Sequence, residues 1–138
     1  MRVLIDTNIF VDYLVDQAPF ADNAERIIEL CENGDIVGVL TASAVTDIYY
    51  ICRKVASHNQ LLDSLKALFS ILDIADVGKS DLLRAMDINI NDLEDALVAQ
   101  CAKRVRADYI VTRNEKDFTK SAVPAISPED FLHKFFPA

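Results

Sequence analysis

The chain has 138 residues, 51% of them hydrophobic, with only three glycines and four prolines; this balance excludes a disordered or low-complexity protein and predicts one packed domain over residues 1–138. No apolar run approaches the ~18 uncharged residues of a membrane-spanning helix, and the opening MRVLIDTNIF is interrupted at Asp6 before a secretory leader could form, so a soluble cytoplasmic protein without a membrane partner is expected. A net charge of −8 argues against a broad basic footprint for nucleic acid, with two local exceptions at Arg53-Lys54 and at Lys103-Arg104 with Arg106.

Arg2 to Ile5 reads as a short buried strand that stops at Asp6-Thr7-Asn8. There a helix begins, with Thr7 as the expected cap and Ile9, Phe10, Tyr13 and Leu14 on one face. Pro19 to Asn33 forms a second helix, stopped by Asn33-Gly34. Ile36 to Leu40 is the second strand. Thr41 to about Val55 is a helix carrying Val45, Ile48, Tyr49 and Cys52 on its apolar side, and Leu61 to Leu72 is another. A short strand at Ile74–Val77 leads through Lys79-Ser80-Asp81 to a small helix ending near Met86.

Asp92 caps the next helix, Leu93 to about Arg106, and Asp108 to Thr112 is an apolar strand followed by a loop. Ala122 to Ile126 is the last strand, and Ser127-Pro128 starts the last helix with a capping serine and a proline at the first helical position. Strands alternating with helices predict an α/β fold, a parallel sheet covered on both faces. In such sheets the functional crevice lies beyond the carboxyl ends of the strands.

Cys31, Cys52 and Cys101 are widely spaced and set among apolar residues, so buried free thiols are expected. His58 and His133 stand alone, which leaves no zinc site.

Acids gather where the crevice should be. Asp6 ends the first strand, although an acid there also suits a helix N-terminus. Asp47 lies one turn into a helix amid Ala44, Val45, Ile48 and Tyr49; its plain alternative is a solvent-edge residue. Asp92, Glu94 and Asp95 open a helix, with Asp92 best suited to capping and Asp95 better suited to a site beside the apolar side. Thr112, Asn114 and Asp117 follow a strand end, in a loop that Phe118 anchors. Oxygen donors of this kind suit Mg²⁺ or Mn²⁺. Such ions activate water and spread the charge of a phosphodiester transition state.

Together LIDTNIFVDYL, LTASAVTDIYYI and DLEDALVAQCAKRVRADYIVTRNEKDF resemble the PIN-domain nucleases, particularly the toxin branch of bacterial and archaeal toxin–antitoxin pairs. The resemblance implies a three-layer α/β/α sandwich with a mainly parallel central sheet, and a metal-dependent endoribonuclease acting on RNA. Asp6, Asp95 and Asp117 would be its metal-site acids, with Asp47 as a further catalytic acid; Thr7, Asn8, Asp92, Thr112 and Asn114 would shape the site. Asp47 stands where the family usually has Glu, and Asn114 where it often has Asp. A protein antitoxin and a homodimer are implied as partners. The competing reading keeps the fold but loses the chemistry: a PIN-like RNA- or protein-binding module with a degraded site. A haloacid-dehalogenase-like hydrolase would need a second Asp where Asn8 stands, and no glycine-rich nucleotide loop is present.

Overall fold

All five strands run parallel. The computed structural model describes residues 1–138, with β1 (Arg2–Ile5), β2 (Val37–Thr41), β3 (Asp73–Ala75), β4 (Tyr109–Val111) and β5 (Ala125–Ile126) in the order β3-β2-β1-β4-β5. Leu4 of β1 registers with Val39 on one side and Ile110 on the other. The chain builds outward from β1 in one direction, then crosses to build β4 and β5 in the other. The gap beyond β1 and β4 is therefore a topological switch point, where open α/β sheets bind ligands.

Strand side chains alternate between faces, and the cores follow. Val3, Ile5 and Val111 pack against α1 (Thr7–Leu14), α2 (Ala21–Glu32), α3 (Ala42–Cys52), α4 (His58–Phe69) and α7 (Pro128–Phe135). Leu4 and Ile110 face α5 (Lys79–Met86) and α6 (Leu93–Arg104). The result is the three-layer sandwich expected. Phe10 and Phe131 are wholly buried in the larger core, each worth about 1.5–3 kcal/mol by removal from water. Gly38 of β2 lies so close under α2 that a Cβ there would sit 2.6 Å from Cys31 Sγ and 2.7 Å from Leu72 Cδ2. All three cysteines are buried and free, as the sequence predicts. No helix is long and apolar enough to cross a membrane.

Several boundaries differ from expectation, each for a local reason. The first helix is capped by Asp6, whose Oδ1 accepts the Thr7 N–H, so Thr7 is the first helical residue. The helix expected from Leu61 to Leu72 instead starts at His58, because Ser57 and Gln60 form a reciprocal capping box. The helix α3 stops at Cys52, short of Val55, with Arg53 as its C-cap and residues 53–55 in turns before the extended Ser57. Arg106 adopts φ +59°, a left-handed turn beyond α6, so that helix ends at Arg104. The last strand shrinks to Ala125–Ile126, and Glu115–Phe118 winds into a 3-10 turn where a plain loop was expected.

Candidate active site

Asp6 closes the sheet and opens a helix at once. Its N–H continues the ladder to Val111 O at 3.0 Å, and its extended conformation (ψ 155°) then turns the chain into α1. Both carboxylate oxygens are engaged: Oδ1 accepts the Thr7 N–H at 2.9 Å and Oδ2 accepts the Thr112 hydroxyl at 2.8 Å. Thr112 is fully buried just past β4. Its oxygen also accepts the Asn114 N–H at 3.0 Å and Asn8 Nδ2 at 3.4 Å, which fills a hydroxyl's capacity of one donor and two acceptor sites. Asn8 Oδ1 in turn accepts the Arg113 N–H at 3.4 Å.

The acids of α6 and of the 3-10 turn reach the same crevice. Asp92 is the cap of α6, accepting the Asp95 N–H at 3.1 Å. Asp95 is half-buried, and its carboxyl is pushed up to about 6, first by burial and then by the charges of Asp92, Asp6 and Asp117. Burial also raises Asp6; its bonds from Thr112 and Thr7 oppose the rise, and the charge of Asp117 adds to it. Asp117 is held by its N–H to Asn114 O at 3.0 Å, while the next residue, Phe118, is buried beneath the turn.

Sequence reasoning singled out Asp95 in this helix turn but passed over Glu94 as a site residue. Glu94 is raised to about 7, first by burial, then by the closeness and charge of Asp47 and by the charges of Asp92 and Asp6. Asp47 therefore joins the group through Glu94, across a cavity of about 270 Å³ lined by Thr7, Thr41, Ser43, Asp47, Leu93 and Glu94. The signal available in D-L-E-D was positional: any acid in the first turn of a helix that begins at the switch point lies near the crevice. Asp12 and Arg113 were also missed. They form a two-pronged ion pair, at 2.6 and 3.1 Å, with Asp12 wholly buried.

The structure thus assembles Asp6, Asp95 and Asp117 with Thr7, Asn8, Asp92 and Thr112, and brings Asp47 to the flank. Asn114 contributes its backbone N–H, and its exposed side chain makes no hydrogen bond within the protein. No three acidic, histidine or cysteine side chains converge on one point. The donors are nonetheless all oxygen and mutually repelling, which fits a hard divalent cation. Mg²⁺ in particular is commonly held by one or two carboxylates while keeping several waters.

Comparison with known proteins agrees with this fold. Residues 2–116 match the family model described as PIN domain. Ribonuclease VapC1 of Aquifex aeolicus (strain VF5) is 26% identical over 142 residues, covering 97% of this chain and 95% of that protein. Among solved structures, VapBC2 from Rickettsia felis, bound to a DNA fragment from its promoter, superposes with a TM-score of 0.69 at 20% identity; 92% of this chain and 98% of that one are covered. A toxin–antitoxin complex from Klebsiella pneumoniae gives 0.68 at 21% identity, covering 91% of this chain and 97% of the other.

Proposed function

The chain belongs to the PIN-domain family, and on that premise we propose that it is a divalent-metal-dependent endoribonuclease, the toxin of a toxin–antitoxin pair. One observation carries the reading: at the switch point of the sheet the charge of Asp117 bears on Asp6, and the charges of Asp6 and Asp117 bear on Asp95. Mg²⁺ or Mn²⁺, when bound, would supply positive charge against the phosphodiester transition state and acidify a water molecule. Asp6, Asp95 and Asp117 are the acids that would hold it. Thr112 and the Thr7 N–H fix the Asp6 carboxylate so that it cannot swing away from the cleft. Asp92 orients the first turn that carries Asp95, and Asn8 braces Thr112. Asp47 and Glu94 extend the acidic lining along the neighbouring cavity.

RNA is the substrate in this reading, and a protein antitoxin is the partner. A homodimer is the assembly in this reading. Three free buried thiols suit a reducing cytoplasm. The second reading, a binding module with a degraded site, draws on Asn114 and on the lack of a converged acid triad. Incubating antitoxin-free protein with labelled structured and single-stranded RNAs, in EDTA, Mg²⁺ or Mn²⁺, tests both. The nuclease requires cleavage that needs metal and disappears in Asp6→Asn and Asp95→Asn. The binding module instead retains RNA or protein binding in Asp6→Asn and never cleaves.

A further inference from the structure

We propose that Arg113 is a positioning residue, whose forked bond to buried Asp12 clamps the 112–118 segment onto α1 and so sets where Asn114 and Asp117 stand relative to Asp6. The inference rests on the metal-site reading above for its consequence, but not for its geometry. Arg113 Nε lies 2.6 Å from Asp12 Oδ2 and Nη2 lies 3.1 Å from Oδ1. The guanidinium also stacks over Phe20, with Cζ 4.1 Å from the ring centroid. Planar, two-pronged recognition and stacking together fix an arginine far more tightly than a lysine could be fixed.

The placement of this pair gives it leverage. Contacts from α1 to the segment form a row: Asp6 to the Thr112 hydroxyl, Asn8 to the Thr112 oxygen and the Arg113 N–H, and Asp12 to the Arg113 side chain. Two of those contacts, both at Asn8, are long at 3.4 Å. The ion pair is the strong end of the row. Past it the segment is held by Asn114 N–H to Thr112, Asp117 N–H to Asn114 O and the buried Phe118 ring. If the fork slackens, the turn pivots about Phe118, and the distance between Asp117 and Asp6 is no longer fixed.

Arg113→Lys keeps the charge and removes the fork; Asp12→Asn keeps an acceptor and removes the charge. Hydrogen exchange of the metal-free proteins reads the clamp directly, and Mn²⁺ titration calorimetry reads its consequence. The expected result is roughly tenfold faster exchange at Asn114 and Asp117 in Arg113→Lys, with β1 amides unchanged, and Mn²⁺ affinity lowered about tenfold, the scale on which supporting contacts of a metal site act. Unchanged exchange in Arg113→Lys overturns the proposal whatever the metal does. Faster exchange in a protein whose wild type binds no Mn²⁺ keeps the clamp and sinks the metal-site reading instead. Should Asp12→Asn fold and match the wild type in both measurements while Arg113→Ala loses only RNA binding, Arg113 is an RNA contact and the clamp is refuted.

Discussion

The hydroxyl of Thr112 donates to Asp6 Oδ2 across 2.8 Å, joining residues 106 positions apart in the chain. It is the tie that lets β4 control the acid at the end of β1. Thr112→Val keeps the shape and deletes the tie. Asp6 then loses a bond that opposes its raised pKa, so its carboxyl rises further. The expected outcome is about 1 kcal/mol less stability and roughly tenfold weaker Mn²⁺ binding, read by urea unfolding and metal titration. Unaltered Mn²⁺ affinity would remove Thr112 from the site.

Acidity should stabilise the metal-free protein through this cluster. Asp95 stands at about 6 against an ordinary 3.8, and Glu94 at about 7 against 4.5. Between those limits the folded chain holds protons that the unfolded chain has released. The contribution is therefore complete below the lower values and is lost as pH rises through about 6 and 7. In EDTA, the fall in melting temperature across this interval should be steeper for the wild type than for Asp95→Asn. Saturating Mn²⁺ should flatten it too, since the cation favours the ionised acids. Equal slopes in wild type and Asp95→Asn would falsify this account of the cluster.

Glu94→Gln separates a working acid from a bystander. The substitution removes one negative charge facing Asp47 and leaves an amide able to donate to it. Metal-free protein should melt a few degrees higher near neutral pH, roughly the effect of relieving a like-charge contact worth up to ~1 kcal/mol. RNA cleavage should fall at the same time, as it should in Asp47→Asn. Cleavage at the wild-type rate in Glu94→Gln would make Glu94 a neighbour of the site and nothing more.

Gly38→Ala supplies a contrast far from the chemistry. Its new methyl would meet Cys31 Sγ at 2.6 Å and Leu72 Cδ2 at 2.7 Å, and Ile5 Cδ1 at 3.1 Å. Overpacking of this kind costs about 1–3 kcal/mol. The urea midpoint should drop while cleavage per folded molecule stays as in the wild type. A midpoint equal to the wild type would mean that the layer between β2 and α2 yields more readily than these contacts imply.

What could be seen in the sequence was what local chemistry decides. Ser127-Pro128 and Asp92 announce their helices because a cap acts within three residues. Asp6 was found at a strand end because an apolar run stops there abruptly. The sequence places the first cap one residue late, since Asp6 and Thr7 are both good capping types and only the backbone at Asp6 decides between them. The Ser57-x-x-Gln60 box was legible but outweighed by the leucine pattern that starts at Leu61. Other features were out of reach. Asp12 and Arg113 lie 101 residues apart and meet only because β1 and β4 are neighbours in the sheet. Glu94 acquires its meaning from Asp47 on a different helix, and no spacing rule within either segment reports that encounter.

The central position of β1 has a consequence for the ribosome that makes this chain. Asp6 is synthesised long before the elements that complete its surroundings: α6 with Asp95, Thr112 just past β4, which ties it, and the turn bearing Asp117. Until synthesis has passed Asp117, the growing polypeptide carries Asp6 without the last acid of its cluster. On the reading proposed here, a nascent chain is harmless to the messenger it is being read from, and a prematurely terminated one stays so. On that reading the cleft exists only once the segment carrying Asp117 has been made and has folded against β1.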